Sequence, residues 1–111
     1  MLFDNLTTYS NNEKMTYINN IYNFIVFALK RFEIIDNDTQ IEIKEKNEQK
    51  LKIRLFEKDY VDLFVDVDID DITGVGCWFT IKEQPFTSLT TYKLFIEKLQ
   101  TIKNCVVYGV M

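Results

Sequence analysis

The 111-residue chain has no histidine, one proline, three glycines and two cysteines. The missing histidine removes Ser-His-Asp and Cys-His catalysis, HExxH zinc chemistry and the usual general base at neutral pH. Neither a GxxxxGK loop nor a GxGxxG turn occurs, and Gly74-Val75-Gly76 is too short to cradle a phosphate. The chain is therefore expected not to be an enzyme and to need no cofactor. Cys77 and Cys105 stand 28 positions apart without a second Cys or a His nearby, which excludes a zinc knuckle and a redox CxxC. Both are expected to be buried, reduced thiols. The chain also lacks any run of Lys or Arg, and its pI is near 4.8. Direct nucleic-acid binding is not expected without that phosphate attraction. The opening MLFDNLTTYS has neither a basic n-region nor an apolar h-region, and the longest apolar run, Phe24 to Leu29, is too short to span a bilayer. A cytoplasmic protein without membrane association is the expectation.

What is present is apolar and acidic. A composition that is 47% hydrophobic, with nine Phe and six Tyr, is enough for one buried core, so residues 1–111 are read as one domain. The segment DYVDLFVDVDIDD, Asp59 to Asp71, holds six carboxylates and no base, against a net charge of −4 for the whole chain. Its alternation of Asp with Val and Ile sets the carboxylates side by side on one sheet face.

Periodicity orders the elements. Ser10 and Glu13 form a capping box at the start of a helix. Met15, Ile18, Tyr22, Ile25, Leu29 and Phe32 make one apolar stripe, with Tyr17, Ile21, Phe24 and Ala28 beside it. Such a helix must be covered on two sides, by the sheet and by either a second helix or another subunit. From Thr39 the period becomes twofold: Ile41 and Ile43; Leu51, Ile53 and Leu55; Val61 through Ile69; Val75, Cys77, Phe79 and Ile81. These are four strands of an antiparallel meander. Ser88 is an N-cap for a second helix with Leu89, Tyr92, Phe95, Ile96, Leu99 and Ile102 inward, ending near Asn104. Cys105 to Val110 reads as a final strand. The class is α+β, order αββββαβ: a four- to five-stranded antiparallel sheet with two helices packed on one face.

Matching the apolar faces of the hairpins gives a charge map. With Leu55 opposite Val61, Arg54 faces Asp62 and Lys50 faces Asp66. With Ile69 opposite Val75, Asp70 faces Gly74, Asp68 faces Gly76 and Asp66 faces Trp78. Phe64 and Trp78 then stand on the polar face, where aromatics are out of place. Asp62, Phe64, Asp66, Asp68, Asp70 and Trp78 have the composition of a protein-binding surface, aromatic anchors ringed by charges that attract a basic partner. The competing structural reading has Phe3, Leu6 and Tyr9 of the N-terminal segment crossing this face and burying both aromatics.

Metal chemistry fits poorly. Asp66-Val67-Asp68-Ile69-Asp70 resembles the opening of an EF-hand loop, but Asp71 stands where that loop needs Gly and Cys77 where it needs Glu. Carboxylates on one strand face lie roughly 6.5–7 Å apart, too far to chelate one ion. Glu42-Ile43-Lys44 and Glu48-Gln49-Lys50 after Asp36 or Asp38 resemble the (D/E)-x-K arrangement of restriction-type metal nucleases, although an acidic surface repels that substrate.

In length, acidity, element order and lack of catalytic residues, the chain resembles the small bacterial immunity proteins that neutralise a cognate toxin, often a basic nuclease. Its Asn- and Lys-rich, Pro-poor composition suits an AT-rich bacterial gene. The resemblance is one of character and carries no motif. It implies inhibition by occlusion: Asp62, Asp66, Asp68 and Asp70 in a basic cleft, with Trp78 and Phe64 as anchors. The alternative is a homodimeric adaptor or chaperone joined through the first helix near Tyr17 and Phe24.

Overall fold

A computed structural model describes residues 11–57, 62–70, 72–83 and 88–108. Helix α1 (Asn11–Arg31) precedes strands β1 (Gln40–Lys46), β2 (Lys50–Phe56), β3 (Asp62–Asp70) and β4 (Gly74–Glu83), and helix α2 (Leu89–Tyr108) follows them. The strands pair antiparallel in the order β1-β2-β3-β4. The architecture is thus the expected α+β fold, in the order αββββα.

The stripes of α1 behave as their spacing predicts. Ile18, Ile21, Ile25, Ala28 and Leu29 are buried, while Tyr17, Tyr22, Phe24 and Phe32 pack at the margin of the core. Glu13 near the N-terminus and Lys30 and Arg31 in the last turn complement the helix dipole. The Ser10 cap lies outside the described residues. The C-terminus closes as a Schellman motif: Glu33 N–H donates to Lys30 O at 3.0 Å and Ile34 N–H to Leu29 O at 2.9 Å. Glu33 takes the left-handed conformation there, φ 61°, without being glycine. Ile34 and Leu29, the apolar pair of that motif, are both buried.

Odd-numbered residues of the central strands build the sheet's half of the core: Leu51, Ile53 and Leu55; Leu63, Val65, Val67 and Ile69; Cys77. Both helices cover that face, α1 against β2 and α2 against β4, and they touch each other. The edge strand β1 carries a bulge between Ile43 and Glu45. In the turn after it, Asn47 Oδ1 accepts the N–H groups of Gln49 and Lys50, both at 2.8 Å.

Helix α2 begins as predicted, with Ser88 Oγ accepting Thr91 N–H at 3.1 Å. Its end differs from the expectation. Cys105 to Tyr108 continue the helix instead of starting a fifth strand, and residues 109–111 lie outside the described residues. The β-branched pair Val106-Val107 suggested a strand, but Val106 extends the buried series Phe95, Leu99, Ile102 at helical spacing. Burial on that stripe overrides local propensity. The cysteines also differ from expectation in part: both are free, but only Cys77 is buried and Cys105 is half-buried.

Candidate functional site

The even-numbered residues form the second face of the sheet, which neither helix covers. From β2 it presents Lys50, Lys52, Arg54 and Phe56, from β3 Asp62, Phe64, Asp66, Asp68 and Asp70, and from β4 Gly74, Gly76, Trp78, Thr80 and Lys82. All six predicted site residues are on it. Phe3, Leu6, Tyr9 and Val61 lie outside the described residues.

The β3–β4 register is the predicted one, with Asp66 opposite Trp78, Asp68 opposite Gly76 and Asp70 opposite Gly74. The β2–β3 register is not. Leu55 pairs with Leu63 rather than Val61, so Lys52 stands opposite Asp66, Lys50 opposite Asp68 and Arg54 opposite Phe64. A two-residue slip keeps every side chain on its face, so alternation alone could not exclude it. Its effect is electrostatic: a basic stripe on β2 adjoins the acidic stripe on β3 along its length.

The six residues divide by what holds them. Asp62 meets Arg54 diagonally in a two-point pair, Nε–Oδ1 2.9 Å and Nη2–Oδ2 3.0 Å. The Arg54 hydrogen bond holds the Asp62 carboxyl below its ordinary value. Phe64 is flanked by cations, with Lys82 Nζ 4.8 Å and Arg54 Cζ 5.7 Å from its ring centre. Asp70 caps the β3–β4 turn, accepting the N–H groups of Ile72 at 2.7 Å and Thr73 at 3.0 Å. The backbone bonds of Thr73 and then Ile72 lower its pKa. These three residues serve the framework.

Asp66 and Asp68 are different. Among the described residues neither has an ion-pair partner within 4.0 Å, although lysines stand opposite both. Beside them Trp78 is 50% exposed. Its indole lies across Gly76: a Cβ at Gly76 would fall 3.0 Å from Cζ3, 3.1 Å from Cζ2 and closer still to Cη2. Of the two glycines that face carboxylates of β3, only Gly74 is therefore bare, with φ +96° and nothing within 4 Å of an added Cβ. Asp68, Asp70, Gly74, Gly76, Trp78 and Lys50 line an open cleft of about 670 Å³. Gly76 as the seat of Trp78, and the two cations around Phe64, were not anticipated. The Gly-x-Trp spacing on one strand face was the available signal for the first.

Among the described residues, the three carboxylates that converge within 4.8 Å of one another are Asp36, Asp38 and Glu57, not those of β3. Asp36 Oδ1 already accepts Asp38 N–H at 2.8 Å as part of the turn into β1. Of the nuclease-like residues, Glu42 pairs with Lys44 at 2.8 Å on β1, and Glu48 sits in the β1–β2 turn. Burial pushes the Cys77 thiol up to about 12, which makes it a poor nucleophile. Among the described residues no helix is long and apolar enough to cross a membrane. No protein-family model, curated protein or solved structure matches the chain.

Proposed function

We propose that this protein is a non-catalytic inhibitor of the immunity type, which binds a basic protein toxin and occludes its working cleft with the sheet face that neither helix covers. The observation that carries this reading is the half-exposed indole of Trp78, held on Gly76 beside Asp66 and Asp68, whose carboxylates have no ion-pair partner among the described residues. An aromatic anchor next to charges already free to pair is the arrangement that yields a binding hot spot. Asp62, Phe64 and Asp70 hold the face in shape around it. The neighbouring lysines of β2 shorten the reach of the acidic field, so recognition works at contact distance rather than by long-range steering.

The test is to express the tagged chain in its native host and identify by mass spectrometry what copurifies at low salt. One stoichiometric basic protein, released by salt and bound at least tenfold more weakly by both Asp68→Lys and Trp78→Ala, is the expected result. Undiminished affinity in Asp68→Lys would sink the assignment.

A second reading, the homodimeric adaptor, is favoured by one observation. Phe27 of α1 is 61% exposed and lines, with Phe24, Phe32, Ile102 and Cys105, an apolar groove of about 250 Å³ between the helices. Recovery of the chain alone, as a dimer broken by Phe27→Ser, would favour it.

A further inference from the structure

The two edges of the sheet are not equivalent. Strand β1 carries a bulge and four charges, Glu42, Lys44, Glu45 and Lys46, devices that discourage strand addition. Strand β4 has none along Gly74 to Ile81, a stretch without charge, proline or register shift.

The direction of its unpaired backbone groups follows from one bond. Ile69 donates its N–H to Gln49 O at 2.7 Å, so odd-numbered residues of β3 bond toward β2 and even-numbered ones toward β4. Asp66–Trp78 and Asp68–Gly76 are therefore hydrogen-bonded pairs, and Val75, Cys77, Phe79 and Ile81 turn their N–H and C=O groups outward. Among the described residues no strand or turn bonds to them. Beside this edge runs a groove of about 290 Å³, lined by Trp78, Phe79 and Ile81 of β4 and by Tyr92, Ile96 and Leu99 of α2, with Gln100 and Lys103 at its polar side. Phe79 and Ile81 are only half-buried, whereas Cys77 on the same face is 1% exposed, and Ile96 is 37% exposed. Among the described residues the core is incomplete along this line.

We propose that an extended segment of the basic partner adds to β4 as a fifth strand, with apolar side chains in the groove beside α2 and basic ones on the uncovered face. An outward row of N–H and C=O groups specifies an extended backbone, and the adjoining groove specifies alternate apolar side chains. Charge follows from the neighbours. A cation opposite bare Gly74 reaches across it to Asp70 and Asp68, and one opposite Gly76 lies beside the indole that covers it. The proposal rests on the reading above for the basic character of the partner.

The test is residue-resolved amide hydrogen exchange of the full chain, with a blocked octapeptide of alternating Val and Lys as probe and its Val–Glu counterpart as control. The Val–Lys peptide is expected to slow exchange at Cys77, Phe79 and Ile81 at least tenfold, with no effect of the Val–Glu peptide and a much reduced effect in Ile96→Asn. Four results overturn the proposal: no protection by either peptide, equal protection by both, protection of these amides in the free monomer at any dilution, or protection that grows with the chain's own concentration. The last two would mean that the edge is covered by another segment of the chain or by a second copy. The two readings fail separately. Loss of peptide protection while Asp68→Lys still weakens the natural partner removes the edge alone. Peptide protection with an indifferent Asp68→Lys leaves the edge standing and removes the face.

Discussion

Trp78 rests on Gly76, two residues back along the same strand, and the fit is close enough that a single methyl group on Gly76 would strike the indole. Gly76→Ala is therefore expected to swing the ring off the strand. The chain has one tryptophan, so its fluorescence reports this movement directly, as a red-shifted and more quenchable emission. Stability should change by less than about 1 kcal/mol, because a strand tolerates Ala and the ring is free to move outward. Partner affinity should fall nearly as far as in Trp78→Ala. Unchanged emission would show that the indole is not seated there.

Arg54 binds Asp62 at two points and lies 4.3 Å from the Phe56 ring centre. Arg54→Ala should cost about 1 kcal/mol, since the pair is partly solvated. The sign of the pH dependence follows from the lowered Asp62 pKa. The folded state holds the carboxylate more tightly than the unfolded chain does, so this contribution is present above the ordinary carboxylate value of 3.8 and is lost as pH falls through the lower folded value. Urea titrations between about pH 5 and pH 2 should show a shallower acid loss in Arg54→Ala than in the parent. Parallel acid limbs would contradict the pairing.

Glu33 occupies a left-handed position that favours glycine. Glu33→Gly should raise stability by about 1 kcal/mol and Tm by about 5 °C, read by thermal unfolding. A decrease would mean that the Glu33 side chain contributes more than its backbone strain costs.

The two thiols should react in sequence. A thiol reagent at pH 8 is expected to titrate Cys105 in the folded protein and to reach Cys77 only after denaturant is added, because Cys77 is buried and its pKa is raised to about 12. Modification of both at similar rates in native buffer would disprove this.

The sequence made the elements legible wherever burial imposed a period. The buried stripe of α1, the odd-numbered strand residues and the Ser88 cap all appear where spacing put them. Two expectations failed where the period was silent. At Cys105 to Tyr108 the β-branched residues suggested strand, and only the packing of Val106 against the core distinguishes helix. Between β2 and β3 the alternation fixes which face a residue occupies but not which partner it meets, and a two-residue slip moved Arg54 from opposite Asp62 to opposite Phe64 and Lys50 from opposite Asp66 to opposite Asp68. The candidate site was legible as a set of residues. Its division into framework carboxylates, Asp62 and Asp70, and available ones, Asp66 and Asp68, depends on the diagonal reach of Arg54 and the turn at Ile72 and Thr73.

The adjoining stripes of β2 and β3 give the face that neither helix covers a handle as well as a charge. A partner that sets its own cations over β3 and its own anions over β2 is attracted along both lines, whereas the same partner turned half a revolution in the plane of the sheet meets like charge on both. On the proposed reading the face would thus discriminate between orientations of one molecule, and a partner of the right composition would be rejected on arriving the wrong way round.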